Sequence, residues 1–377
     1  MRLRPLALVL PLVVFVSWLA SCSQESTDQS LGDVARETRR QKPQAPGSDS
    51  DRKTRVQELV ASTLTTSNRD DYKAEIEEVL NREDFDKLDR AADSVRSSRA
   101  RFPGGVWKLY IFYEAITQLP PGAFGEAAWN NRIQILERWR KQSPKSITAA
   151  PALAGAYMNW AEAARGTDWA SNVSQQGWQS MAKRVQQAKA VLDESTHLPA
   201  RCPYWYELMQ QIALMQGWDR QKTRALFEEA VAFEPEFYPY YREYANYLLP
   251  RWYGDEGEVQ AFANDVLKKV GGKYGEFLYF QIATVANCHC DNEVVNLGTM
   301  SWPKIKDGYA AANELYGGQS ELQMNRFAYL TCRLRDLPAA RDVFDSLGDS
   351  WDERTWGSKR NFDQCKNWAL QPSPRRQ

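Results

Sequence analysis

An all-α fold is predicted by three observations: apolar residues recur at helical spacing along most of the chain, Pro and Gly clusters punctuate those stripes, and alternating strand patterns are nearly absent. At 43% hydrophobic and 25% charged residues, the 377-residue chain has enough apolar surface to bury a core. Lys plus Arg (48) balance Asp plus Glu (48), so no net field concentrates a polyanion, and no nucleic-acid partner is expected. Forty-five aromatic residues (14 Trp, 17 Tyr, 14 Phe) must fill the gaps between helices or line a recognition surface.

The first segment pairs a positive start, Arg2 and Arg4, with an apolar run from Leu6 to Trp18 and then small residues before Cys22. A spanning helix needs about twenty apolar residues, and polar chain begins here at Ser23. Residues 1–21 therefore read as an export signal. Leu19-Ala20-Ser21-Cys22 resembles the bacterial lipobox, which implies cleavage before Cys22 and a lipidated N-terminus at that cysteine. Two or three acyl chains anchor stably where one binds marginally. An ordinary secreted protein with a cysteine at the cleavage site is the alternative. Ser23 resembles the residue that, in bacteria with two membranes, permits transfer to the outer membrane, so the expected location is the cell envelope, on the periplasmic side of that membrane. Residues 22–51 are polar, with Leu31 and Val34 their only sizeable apolar side chains, and read as a flexible tether with a reach on the order of 30 Å.

Residues 52–145 are expected to form an N-terminal helical region. Stripes run through Val56, Leu59, Val60 and Leu64, through Tyr72, Ile76, Val79 and Leu80, and through Phe85, Leu88, Ala92 and Val95. Phe102-Pro103-Gly104-Gly105 breaks the pattern, Trp107 to Ile116 forms the next helix, and Pro120-Pro121-Gly122 ends it. A further helix covers Glu126 to Gln142 and closes at Pro144.

Residues 146–370 carry repeated spacings, leaving 371–377 as a disordered tail. Phe227-x2-Ala230-x4-Pro235 is followed in register by Tyr241-x2-Tyr244-Ala245-x2-Leu248. Leu153-x2-Ala156-Tyr157-x2-Trp160 has a delayed partner in Val185-x2-Ala188, and Phe327-Ala328 precedes Ala340 and Phe344, with the turn at Asp336 to Pro338. These half-motifs resemble tetratricopeptide repeats, whose small residues let paired helices approach closely. The resemblance covers roughly half the chain and implies an α-α superhelix; a non-repeating helical domain is the alternative. Several further blocks, among them Phe102-Pro103-Gly104-Gly105-x-Trp107-Lys108-Leu109, Leu249-Pro250-Arg251-Trp252-Tyr253-Gly254 and Asn325-Arg326-Phe327-Ala328, resemble an uncharacterised bacterial family known only as a domain of unknown function. That family is similar to helical-repeat proteins and implies no activity.

Five cysteines remain after Cys22, an odd number, so at least one is unpaired within the chain. Cys332 with Cys365 is the preferred disulfide, since it ties the C-terminal segment to the last repeat. Cys288-His289-Cys290 lacks a second ligand pair and is read as structural, with no metal or other cofactor expected. Only His197 and His289 offer an imidazole base, and neither lies in a catalytic motif, so no catalytic residue is assigned. His197 is placed to meet the last carbonyls of a helix.

Two clusters are candidates for ligand binding. In Pro250 to Glu256, Pro250 ends a helix, Gly254 permits a positive φ and Asp255 caps the next helix; the functional reading gives Arg251 an anion-gripping fork, with Trp252 and Tyr253 as stacking faces. Trp107 with Lys108 is the second candidate. Trp351, Trp356, Phe362 and Trp368 read as a cap over the last repeat. The expected function is a membrane-anchored scaffold that binds a protein or peptide. The alternative is a carbohydrate-binding or carbohydrate-active envelope protein, for which Asp255 and Glu256 are too poorly opposed to serve as an acid-base pair.

Overall fold

Helix starts in this protein are set by short polar side chains. The Asn68 and Asp84 carboxamide and carboxylate accept from free amides of the first turns of α1 (Arg69–Asn81) and α2 (Phe85–Ser98). The computed structural model describes residues 68–166, 170–198, 200–286 and 300–371. The export signal, Cys22, the tether, the Val56 to Leu64 stripe, Cys288-His289-Cys290 and all but the first residue of the tail lie outside the described residues.

The chain continues through a two-residue hairpin, β1 (Arg101–Phe102) and β2 (Val106–Trp107), the only strands among the described residues. Helices then follow without interruption by sheet: α3 (Lys108–Thr117), α4 (Gly125–Gln142), α5 (Ala149–Arg165), α6 (Gln175–Glu194), α7 (Pro203–Gln216) and α8 (Arg220–Phe233). After these come α9 (Pro239–Tyr247), α10 (Glu258–Val270), α11 (Gly272–Ala286), α12 (Trp302–Tyr316), α13 (Glu321–Arg333), α14 (Leu337–Leu347), α15 (Glu353–Trp356) and α16 (Lys359–Leu370). Asp336 caps α14, as its position before Leu337-Pro338 suggests. Among the described residues the protein is all-α, apart from the hairpin.

Neighbouring helices pack in pairs, and from α1 to α11 each odd-numbered helix also packs on the next odd one: α1 on α3, α3 on α5, α5 on α7, α7 on α9 and α9 on α11. An inner layer of odd helices thus carries an outer layer of even ones. Close approach within it is set by the small residues singled out in the sequence: Ala156, Ala188, Ala230, Ala245, Ala328 and Ala340 are wholly buried. Phe227 stacks on Tyr244 at 4.5 Å and meets Tyr241 edge-on at 5.5 Å, so the two half-motifs in register are a packed pair. α7 is buried on nearly every side, which accounts for its almost unbroken apolar run from Tyr204 to Leu214. Trp356 and Phe362 are buried over α14 and lie edge-on at 5.3 Å, sealing the C-terminal end.

The hairpin joins distant parts of the chain. Gly104 has φ +75°, and a Cβ there would lie 2.6 Å from the Ser320 backbone nitrogen, so both conformation and close backbone approach favour glycine. This close fit lets the Gln323 amide donate to the Gly104 carbonyl at 2.8 Å, while Gln323 also completes the capping box of α13 with Ser320. A disulfide joins Cys332 to Cys365, with Cα atoms 6.0 Å apart, tying α16 to α13. Cys202 is a free, buried thiol that meets the Tyr113 hydroxyl at 3.2 Å.

Candidate functional site: a polar recess on the inner helices

The two candidate clusters from the sequence are placed differently: Trp107 lies in the core, and the 250–256 loop is partly exposed. Trp107 is fully buried: its indole N–H donates to the Glu236 carbonyl at 3.0 Å, its ring meets Phe237 edge-on, and Arg101 lies over its face at 4.5 Å. The hairpin turns this residue into the core, so it has no face left for a ligand. Lys108 lies near the rings of Phe102 and Tyr72, at 5.1 and 5.6 Å, and partial burial lowers its pKa.

In the 250–256 loop, Trp252 and Tyr253 are 41% and 37% exposed, but the Tyr253 hydroxyl donates to the Leu214 carbonyl and its ring stacks on Tyr247. Arg251 reaches only the Asn246 side chain, at 3.3 Å. Two expectations are corrected. Gly257, not Asp255, is the N-cap of α10, because the Asp255 carboxylate is drawn instead to Arg220 at 3.1 Å, a guanidinium that Glu258 also pairs. Gly254 does not take a positive φ; glycine is needed there because a Cβ would lie 1.9 Å from the Leu248 carbonyl oxygen. This loop is a structural corner with two partly exposed rings. His197 meets the Glu194 carbonyl at the end of α6, as its position suggested.

Buried polar atoms without partners are scattered over the described residues, and two of them, Glu207 Oε2 and Gln281 Nε2, line one recess. A recess of about 90 Å³ is lined from α1 by Arg69, from α3 by Tyr110, from α7 by Glu207, from α9 by Arg242 and Glu243, and from α13 by Arg326. Tyr238, Gln281 and Gln323 complete it. Every helix that contributes is odd-numbered. The fold brings these positions, far apart in sequence, to one place.

Within the recess the charges are unevenly matched. Arg69 is spent on Glu114 at 2.7 Å, which Lys73 also pairs. Arg242 donates to the Gln281 carbonyl at 2.7 Å and the Thr284 hydroxyl at 2.6 Å, neutral acceptors both. Arg326 makes no hydrogen bond or ion pair among the described residues. The Glu207 side chain is 2% exposed and its Oε2 has no partner; the Gln281 Nε2, in a residue 1% exposed, likewise has none. One turn beyond Glu207, both amide atoms of Gln210 are unpartnered. Leaving buried polar atoms unpaired costs roughly 1–3 kcal/mol each, a cost that a bound molecule would relieve.

Titration follows from this enclosure. Burial, and then Glu243, push the Glu207 carboxyl well above its usual range. Burial raises Glu243 to about 7 against the pull of Arg242 and with a push from Glu162. Burial, aided by Arg242, drives Arg326 down to about 9. A carboxyl with a raised folded-state pKa stabilises the fold relative to its ionised form below the unfolded value, and that stability is lost as pH rises through the folded value. For Glu243 the window runs from 4.5 to about 7. The Glu243→Gln variant is therefore expected to gain on the wild type across this window, reaching a melting temperature about 5 °C higher above it. Thermal melts of both proteins across the window check this; a difference independent of pH would contradict the buried-carboxyl reading.

Two other hollows are poorer candidates. One of about 460 Å³ lies between Asp89, Asp93 and residues 143–148, where Asp89 already accepts from Ser146 and from the Trp139 indole. The other, about 290 Å³, lies beside Trp160, whose face is covered by Arg184 at 3.8 Å. No family model, curated protein or solved structure matches the chain, so these residues have only their own geometry to speak for them.

Proposed function

We propose that this chain is a lipid-anchored envelope protein whose tetratricopeptide-like superhelix is a non-enzymatic scaffold, receiving a protein or peptide partner at the recess on its inner helices. The observation that carries this reading is the set of buried polar atoms left unpartnered in a recess that opens to solvent, Glu207 Oε2 and Gln281 Nε2 above all. A fold closed on itself would satisfy them internally. Packing of the odd helices from α1 to α11 on one another as well as on even neighbours is in keeping with a repeat architecture, and repeat scaffolds use the inner layer for binding. The volume weighs against the carbohydrate alternative: about 90 Å³ is below the roughly 300–1,000 Å³ of pockets that enclose small molecules, so the recess suits an end group and not a sugar ring.

Anchoring rests on the lipobox resemblance at Cys22, and among the described residues no helix is long and apolar enough to cross a membrane. With Cys22→Ser the protein is expected to move from the membrane fraction to the soluble fraction; wild-type protein recovered soluble with an unmodified Cys22 would remove the anchor. For binding, co-purification from detergent-solubilised membranes is compared with Leu322→Trp, which crowds the lip of the recess. A partner held by the wild type and lost from this variant is expected; equal recovery would refute the assignment of the recess.

A further inference from the structure

We propose that the recess receives a single carboxylate group presented by the partner chain, gripped by Arg242 and Arg326. This deepens the scaffold reading and rests on the recess being its binding site.

The charge balance comes first. Arg242 and Arg326 line the same recess, where burial and then Arg242 disfavour the charge on Arg326 while Asp352 favours it. A guanidinium does not give up its proton in a protein, so the strain of holding two of them in one enclosed place is met by negative charge from outside or by the recess carboxyls. Those carboxyls meet it poorly. Burial disfavours the charged form of both Glu207 and Glu243. The remaining cation, Arg69, is already paired with Glu114. Arg242 meets only neutral acceptors and Arg326 no acceptor among the described residues, so neither guanidinium in the recess has a carboxylate hydrogen-bonded to it.

Size and donor geometry then narrow the anion. About 90 Å³ is room for roughly three waters, enough for a carboxylate and its first carbon but not for a bulky anion with a body of its own. The rest of the ligand must lie outside the recess, which is why a group on a larger partner fits and a free metabolite does not. A planar guanidinium fork matches a planar carboxylate with two parallel N–H donors. The unpartnered Gln281 Nε2 adds an N–H donor. Arg326, without a hydrogen bond among the described residues, and Gln281 Nε2 are thus donors suited to a carboxylate, beside a second guanidinium at Arg242.

Calorimetric titration of the purified protein tests this with N-acetyl-dialanine, its C-terminal amide and inorganic phosphate as probes. Saturable binding of the free acid, none of the amide, and at least about tenfold weaker binding of the acid by Arg326→Gln are expected. Arg326→Lys, which keeps the charge but loses the fork, should fall between the two. Should Arg326→Gln fail to fold, Arg242→Lys takes its place in the same comparison. Equal binding of acid and amide, binding unchanged by the substitution, no saturable binding of the acid, or binding of phosphate without the acid would each overturn the assignment. The two readings fail separately. A partner lost on Leu322→Trp but indifferent to Arg326→Gln removes the carboxylate and keeps the scaffold. An acid bound as expected with no partner recovered from membranes does the reverse.

Discussion

Replacing Trp107 with alanine is expected to destabilise the protein by about 3–5 kcal/mol, the range for deleting a large, fully buried ring. Three losses combine in that figure. The indole leaves a cavity beside Phe237, its N–H no longer meets the Glu236 carbonyl, and Arg101 loses the ring beneath it. Arg101 also pairs with Glu236 at 2.6 Å, so the damage reaches the contact between the hairpin and the segment before α9. Trp252→Ala, in a ring 41% exposed, is expected to change stability by no more than about 0.5 kcal/mol. Urea unfolding of the two variants beside the wild type measures both values. Comparable effects from the two tryptophans would mean that Trp107 is not the core residue described.

Gly254→Ala should cost about 3 kcal/mol, near the top of the usual range for overpacking. The added methyl would lie 1.9 Å from the Leu248 oxygen and 2.3 Å from its carbonyl carbon. Both belong to the backbone, so no side chain can swing aside; the corner between α9 and α10 has to open. Gly122 is the control. Its φ is +84° and a Cβ there meets nothing within 4 Å, so alanine adds only backbone strain of about 1–2 kcal/mol. Thermal denaturation of the two variants separates steric from conformational cost. If Gly254→Ala proves as mild as Gly122→Ala, the close approach to Leu248 is not what holds a glycine at this corner.

The helices were legible from sequence because their determinants are local. The Ala230 and Ala245 spacings and the aromatic pair Phe227 and Tyr244 encode contacts between helices adjacent in the chain, and the turn at Asp336 to Pro338 lies where one helix gives way to the next. The recess was not legible for the opposite reason. Arg69, Glu207, Arg242 and Arg326 lie far apart in the chain, and only the packing of one odd helix on the next brings them together. Glu207 left a faint trace, a charged side chain inside a largely apolar run, Tyr204-Trp205-Tyr206-Glu207-Leu208-Met209, whereas Arg69 lies among polar residues and left none.

The misread residues share a cause. Trp107 beside Lys108 looks like a recognition pair, and Asp255 like a helix cap, when only neighbours in sequence are considered. In the folded chain the hairpin turns Trp107 inward, and Arg220 claims the carboxylate of Asp255 before it can cap α10. Long-range partners decide what a polar or aromatic residue does, whereas small residues at helical spacing declare their role at once.

A photoreactive amino acid placed at Leu322, on the rim of the recess, and separately at Trp252, on the 250–256 loop, tests the central claim most directly in intact cells. Irradiation is expected to join one discrete partner to the protein from position 322 and none from position 252. A crosslink from 252 with none from 322 would place the partner on the loop and contradict a binding site among the inner helices.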